Sequence, residues 1–264
     1  MPNEGTGFLP RILTIAKNAF REAVRDRILY NLILFVLLIT ASAIFLGELT
    51  AGQESRVIVN LGLSSILLFG AFISIFVGVS LVWKEIEKRT VYSIFSKPIG
   101  RGEFIVGKYI GLCSTLLVNI LVMGAGVSFA LLYVGGGPLV WKIWGAVTLI
   151  FFELTIITAV AIMFSSFSTP ALSALLTFFV FLIGHFSSSL LDLATSLRSK
   201  GAIWFFSAIY YLLPNLSNFS FIANTANGDV PPFAMVGGAI VYAVIFDVIL
   251  MAITVMIFSR RNFK

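Results

Sequence analysis

The chain has 264 residues, of which 59% are hydrophobic and 11% charged, with a mean hydropathy of +1.02 and a formal net charge of +6. A soluble domain carries about 25% charged residues, so this composition excludes an ordinary soluble fold and defines an integral membrane protein. The single cysteine, Cys113, excludes a disulfide within the chain.

The first element is amphipathic. Over residues 7–27, Leu9, Ile12, Leu13, Ala16, Ala19, Phe20, Ala23 and Val24 recur at helical spacing. Arg11, Thr14, Lys17, Asn18, Arg21, Glu22 and Arg25 fill the opposite face, and Ile15 fits neither. Such a helix is expected to lie in the membrane interface, apolar side down. The alternative is a cytoplasmic helix packed on a partner. The stretch is charged throughout and has no continuous apolar core, so a cleavable signal peptide is not expected.

Six spans follow from the gaps between charges: 28–46, 57–83, 109–134, 143–164, 171–191 and 233–258. About 20 apolar residues cross a bilayer as a helix, which satisfies its own backbone hydrogen bonds in lipid. The breaker Gly135-Gly136-Gly137-Pro138 separates the third span from the fourth, and Ser168-Thr169-Pro170 precedes the fifth. A seventh apolar stretch, 202–222, is interrupted by Pro214, Asn215 and Asn218. Six spans with both termini inside place 14 of the 18 basic residues on the cytoplasmic side, leaving Arg56, Lys142, Arg198 and Lys200 outside. That satisfies the positive-inside rule, whereas a seventh crossing would put the basic C-terminus outside. Segment 202–222 is therefore expected to be re-entrant or interfacial on the outer face. The fold class is all-α: six transmembrane helices, an N-terminal amphipathic elbow helix and a cytoplasmic coupling segment. The expected location is the inner cell membrane, multi-pass, with both termini cytoplasmic.

The coupling segment carries the most chemistry. Lys84 to Lys108 holds nine of the 30 charged residues. Glu85, Lys88 and Arg89 lie within helical reach of one another, and Val91, Ile94 and Phe95 form an apolar patch. Lys97-Pro98 ends the helix, because proline disfavours the α region for the residue before it. Residues 99–103 are expected to turn, with Phe104 starting the return into the membrane. A short helix across the mouth of two spans suits a groove on a soluble subunit.

The run Glu85-x-Glu87-x-x-Thr90, then Ile94-Phe95-Ser96-Lys97-Pro98-Ile99-x-Arg101-x-Glu103-Phe104 and Gly107-Lys108 resembles the first cytoplasmic loop of ATP-binding-cassette (ABC) permeases of the type 2 exporter superfamily. It is similar to the branch that contains the permease for maturation of nitrous oxide reductase. Arg89 departs from the glycine that the family usually carries before the threonine. The resemblance implies a homodimer bound to two cytoplasmic ATPase subunits, with ATP and Mg held by those partners and no cofactor in this chain. It assigns ATPase coupling to Glu85, Glu87, Lys88, Arg89, Thr90, Ile94, Phe95, Pro98 and Arg101 over residues 84–104. It also implies that the loop 165–169 faces the ATPase and that the fifth span helps line the route between protomers.

Gly102 to Lys108 matches the start of a phosphate-binding loop, but Tyr109 stands where a Ser or Thr should hold magnesium, and no strand precedes it. The chain is not expected to be an ATPase. Glu153, His185 and Asp247 are ionisable residues inside spans, where a charged carboxylate costs roughly 2.5–3.5 kcal/mol. They are read either as pathway or proton-relay groups or as hydrogen-bonded links between helices. The alternative function is an ion-coupled transporter or channel using these three residues. The 26 phenylalanines suit an apolar or amphipathic cargo, although lipid contact also accounts for them. No metal-ligand spacing and no catalytic triad pattern are visible, and the outward basic residues are too few for nucleic acid. Membrane lipid is an expected partner.

Overall fold

The computed structural model describes residues 8–25, 27–48, 50, 52–87, 100–187 and 200–260. Among these the chain forms α1 (Phe8–Val24), α2 (Arg27–Glu48), α3 (Glu54–Glu87), α4 (Arg101–Tyr133), α5 (Gly137–Ser165), α6 (Pro170–His185) and α7 (Lys200–Leu212). A 3-10 turn (Leu216–Phe219), α8 (Ile222–Ala226) and α9 (Phe233–Arg260) complete it. Four of the described helices are long and apolar enough to cross a membrane: α3 over Glu54–Lys84, then α4, α5 and α9. The apolar parts of α2 and α6 are shorter, at Val36–Phe45 and Pro170–His185.

The helices overrun the expected spans. With 34 residues, α3 is about 50 Å long, against a hydrocarbon layer of about 30 Å. It remains helical through Glu87, and the next helix begins at Arg101, so residues 101–103 of the expected turn are instead the first turn of α4. The Glu103 carboxylate accepts the Gly100 N–H at 2.9 Å, which satisfies a donor at the helix start and explains the earlier onset. α6 runs to His185, and the expected end of that span at 191 lies outside the described residues.

The breaker before α5 has a defined geometry. Gly135 adopts φ +80, its N–H donates to the Leu132 carbonyl, and the Gly136 N–H donates to that of Leu131. This Schellman closure needs a left-handed residue, which glycine adopts without a Cβ penalty. Pro138 then stands in the first turn of α5, where its missing N–H costs nothing.

α5 is the central helix. Every residue from Glu153 to Ile162 is buried, and α3, α4, α6 and α9 all pack on it. Lipid-embedded helices associate through close packing rather than hydrophobic exclusion, so small residues sit at the contacts. On α3, Gly62, Gly70 and Gly78 recur every eight positions and receive Val127, Leu154 and Ala161 respectively. α4 presents a second notch, Gly107-x-x-x-Gly111, to α1. A Cβ on Gly111 would lie 2.6 Å from the Ala16 carbonyl oxygen, and one on Gly107 would lie 2.7 Å from Ile15 Cβ.

This docking divides the apolar face of α1. Ile12, Ala16, Ala19 and Ala23 are buried, whereas Leu9 and Leu13 stay exposed. Ile15, which fits neither face of the amphipathic pattern, packs into the Gly107 notch.

Two ends of the bundle are defined by contacts. At one, Arg11 on α1 faces Glu103 on α4, Arg101 reaches the last turn of α9, and Ser165 donates to the Val79 carbonyl at 2.9 Å. At the other, Gly136 packs on Ser55 and the Lys142 ammonium donates to the Gly228 carbonyl at 2.7 Å. The first described helix and the end of the last therefore share one end of the bundle.

Candidate functional site

The structure brings together two of the three ionisable residues expected inside spans. Glu153 lies midway along α5 and is fully buried; its Oε1 is 3.2 Å from Nδ1 of His185, the last residue of α6. His185 keeps 28% of its side chain exposed and has the Phe181 ring 5.7 Å away. The end of α6 is held from behind, because Gly184 packs on the Pro214 carbonyl and on Leu216.

Asp247 does not join this pair. It lies on the buried stripe of α9, beside the side chains of Tyr109 on α4 and Thr155 on α5. Residues 153 and 155 are about 200° apart around α5, so its two polar contacts face different neighbours. Glu153 Oε2 and Asp247 Oδ1 are both buried without a hydrogen-bond partner among the described residues. No group of three or more His, Cys, Asp or Glu that could hold a metal ion occurs among the described residues.

Next to α6 lies an apolar cleft of about 400 Å³, formed by Phe72, Ile75 and Phe76 of α3 with Ala174, Leu175 and Phe178 of α6. The rings of Phe72 and Phe76 stack at 6.1 Å. The cleft contains almost no polar group, so it accommodates hydrocarbon and cannot bind a charged molecule by itself.

Behind the end of α6, the irregular backbone is held by Asn215. Its N–H donates to the Tyr242 hydroxyl at 2.8 Å, its Oδ1 accepts the Ser217 N–H at 3.1 Å, and its Nδ2 donates to the Tyr210 hydroxyl at 3.2 Å. Leu216 and Phe219 are buried beside it.

Among the residues assigned to ATPase coupling, Lys88, Arg89, Thr90, Ile94, Phe95 and Pro98 lie outside the described residues. Glu85 and Glu87 belong to the last turn of α3. Arg101 is turned inward: its guanidinium donates to the carbonyls of Phe258 at 3.3 Å and Ser259 at 2.8 Å, at the C-terminus of α9. It thus links α4 to α9, as a cation at a helix C-terminus is suited to do. Residues 102–108, the near-match to a phosphate loop, are helical, and the Lys108 ammonium is 3.1 Å from Glu22 Oε2 on α1.

Sequence reasoning did not find Tyr109, Thr155, Tyr242 or the Glu22–Lys108 pair. The Gly107-x-x-x-Gly111 spacing was the one local signal available for the α1–α4 contact.

Long apolar helices around a central helix buried throughout 153–162, with polar contacts on its inward faces, define a multi-pass membrane protein that is all-helical among the described residues. The chain belongs to the ABC-2 family of transporter proteins, whose profile matches residues 13–262. That places it in the ABC transporter class as a multi-pass membrane component. It is also similar to the probable ABC transporter permease protein NosY of Pseudomonas aeruginosa, at 25% identity over 107 residues. That match spans 39% of each chain.

Proposed function

We propose that the chain is the membrane-spanning subunit of an ATP-driven exporter, working as two copies with two cytoplasmic ATPase subunits that hold ATP and Mg. The observation that carries this reading is the convergence of helices at one end of the bundle. The segment between α3 and α4 leaves and enters there. At that end Glu103 faces Arg11 on α1, Lys108 pairs with Glu22 on α1, and Arg101 caps α9. Fourteen of the 18 basic residues fall on this side when the chain crosses six times, which makes it the cytoplasmic face of the cell's inner membrane. A partner pressing on residues 84–104 would move α1, α4 and α9 together. The cargo is an apolar or amphipathic molecule passing along α6 between the two copies.

Reversing Glu87 tests the reading. In Glu87→Lys, co-purification of the ATPase and transport are expected to be lost while membrane insertion is unchanged. Normal assembly and transport in that variant would sink the coupling assignment.

A further inference from the structure

We infer that the α3–α6 cleft and His185 together form a binding site for an amphipathic molecule whose polar end carries a hydrogen-bond-accepting oxygen, with a carboxylate as the simplest case. This deepens the permease reading above and rests on it. The apolar half of the site is the cleft, walled by Phe72 and Phe76 on α3 and by Leu175 and Phe178 on α6. The polar half lies on the same side of α6. His185 follows Phe178 by seven positions, which is two helical turns, about 10 Å of rise and only about 20° of rotation. An extended chain of some eight carbons covers that distance.

The chemistry of the Glu153–His185 pair selects the polar end. Nδ1 is taken by Glu153, so Nε2 is the ring nitrogen left for an outside partner on this partly exposed side chain. A buried pair with a net charge is costly, so the neutral combinations dominate. A carboxylic acid accepting from Nδ1–H would leave Nε2 bare; the other two are a carboxylate with an imidazolium, and a carboxylic acid donating to Nδ1 of a neutral ring. In both, Nε2 carries a hydrogen. In these two states the site offers a donor, and it attracts an acceptor. A ligand ending in a quaternary ammonium, with no acceptor, gains nothing from it. Glu153 acts through His185 as a positioning residue, fixing which nitrogen faces outward.

The test uses the full chain in lipid nanodiscs, without the ATPase, and measures binding of dodecanoate and dodecyltrimethylammonium by competition with a fluorescent acyl probe. Dodecanoate is expected to bind at least about tenfold more tightly than the cation, the worth of one charge-assisted hydrogen bond. His185→Phe should remove that preference, and His185→Gln, which keeps a donor, should retain most of it. Leu175→Trp, a change at a lipid-exposed position, should weaken both ligands by filling the cleft. Equal binding of the two amphiphiles by the unaltered chain, or indifference to Leu175→Trp, would overturn the proposal even if the His185 variants failed to fold. Because no ATPase is present, loss of ATPase association in Glu87→Lys and loss of dodecanoate selectivity are separate failures.

Discussion

Lys108 and Glu22 form an ion pair at 3.1 Å across the α1–α4 contact, with Lys108 6% exposed and Glu22 44% exposed. An exposed pair contributes little, about 0–1 kcal/mol, but the nearly buried Lys108 raises the cost of losing its partner. Glu22→Lys is expected to destabilise the protein, and the exchange Glu22→Lys/Lys108→Glu to restore most of the loss. A double-mutant cycle by thermal unfolding in detergent measures the coupling.

The notch beside that pair makes a steric prediction. A side chain at Gly111 meets backbone of α1, which cannot move aside as a flexible side-chain tip can. Gly111→Val is expected to cost about 1–3 kcal/mol and to free α1, seen as faster proteolysis of the α1–α2 connection. Gly237→Ala, where a Cβ meets nothing within 4 Å, serves as the control and should leave proteolysis unchanged.

The Glu153–His185 link joins the middle of α5 to the end of α6. His185→Leu leaves a fully buried carboxyl without its partner and is expected to cost about 3–5 kcal/mol. Glu153→Leu/His185→Leu removes both polar groups and should recover most of that loss. Unfolding midpoints of the three proteins decide it; a double variant as unstable as the single one would show that the pair is not a unit.

Arg101 is predicted to act inside the permease as well as toward any partner. Arg101→Gln removes the charge-assisted bonds to the Phe258 and Ser259 carbonyls, worth about 1.5–3 kcal/mol in a partly buried setting. Hydrogen exchange should rise at amides 255–260 and stay unchanged in α5. Unchanged exchange at the end of α9 would remove its role as a link between the two helices.

At the turn after α7, Asn215→Ala should disturb more than one contact. The side chain holds both Ser217 and Tyr210, so its loss leaves partly buried groups unpaired and is expected to cost about 1 kcal/mol. Tyr242→Phe removes only the acceptor of the Asn215 N–H and should cost less. Thermal unfolding of the two variants ranks them.

Membrane class and the approximate positions of the long helices were legible in the chain alone, and a six-span reading of it expects the basic residues to gather on one face. Each depends on local composition: hydropathy adds along a window, and lysine and arginine count the same whatever they touch. The Gly107-x-x-x-Gly111 spacing was likewise readable, because close helix contact in lipid requires small residues. What the tertiary structure decided is which faces meet. α5 and α9 are apolar on every side, so no amphipathic stripe gives their rotation, and nothing local sends Glu153 toward His185 and Asp247 toward Tyr109 and Thr155. Arg101 belongs to a charged segment suited to an outside partner, yet it closes the end of α9, 157 positions away. Those pairings depend on the rotation and register of helices set by packing across the whole bundle, a quantity no window of sequence contains.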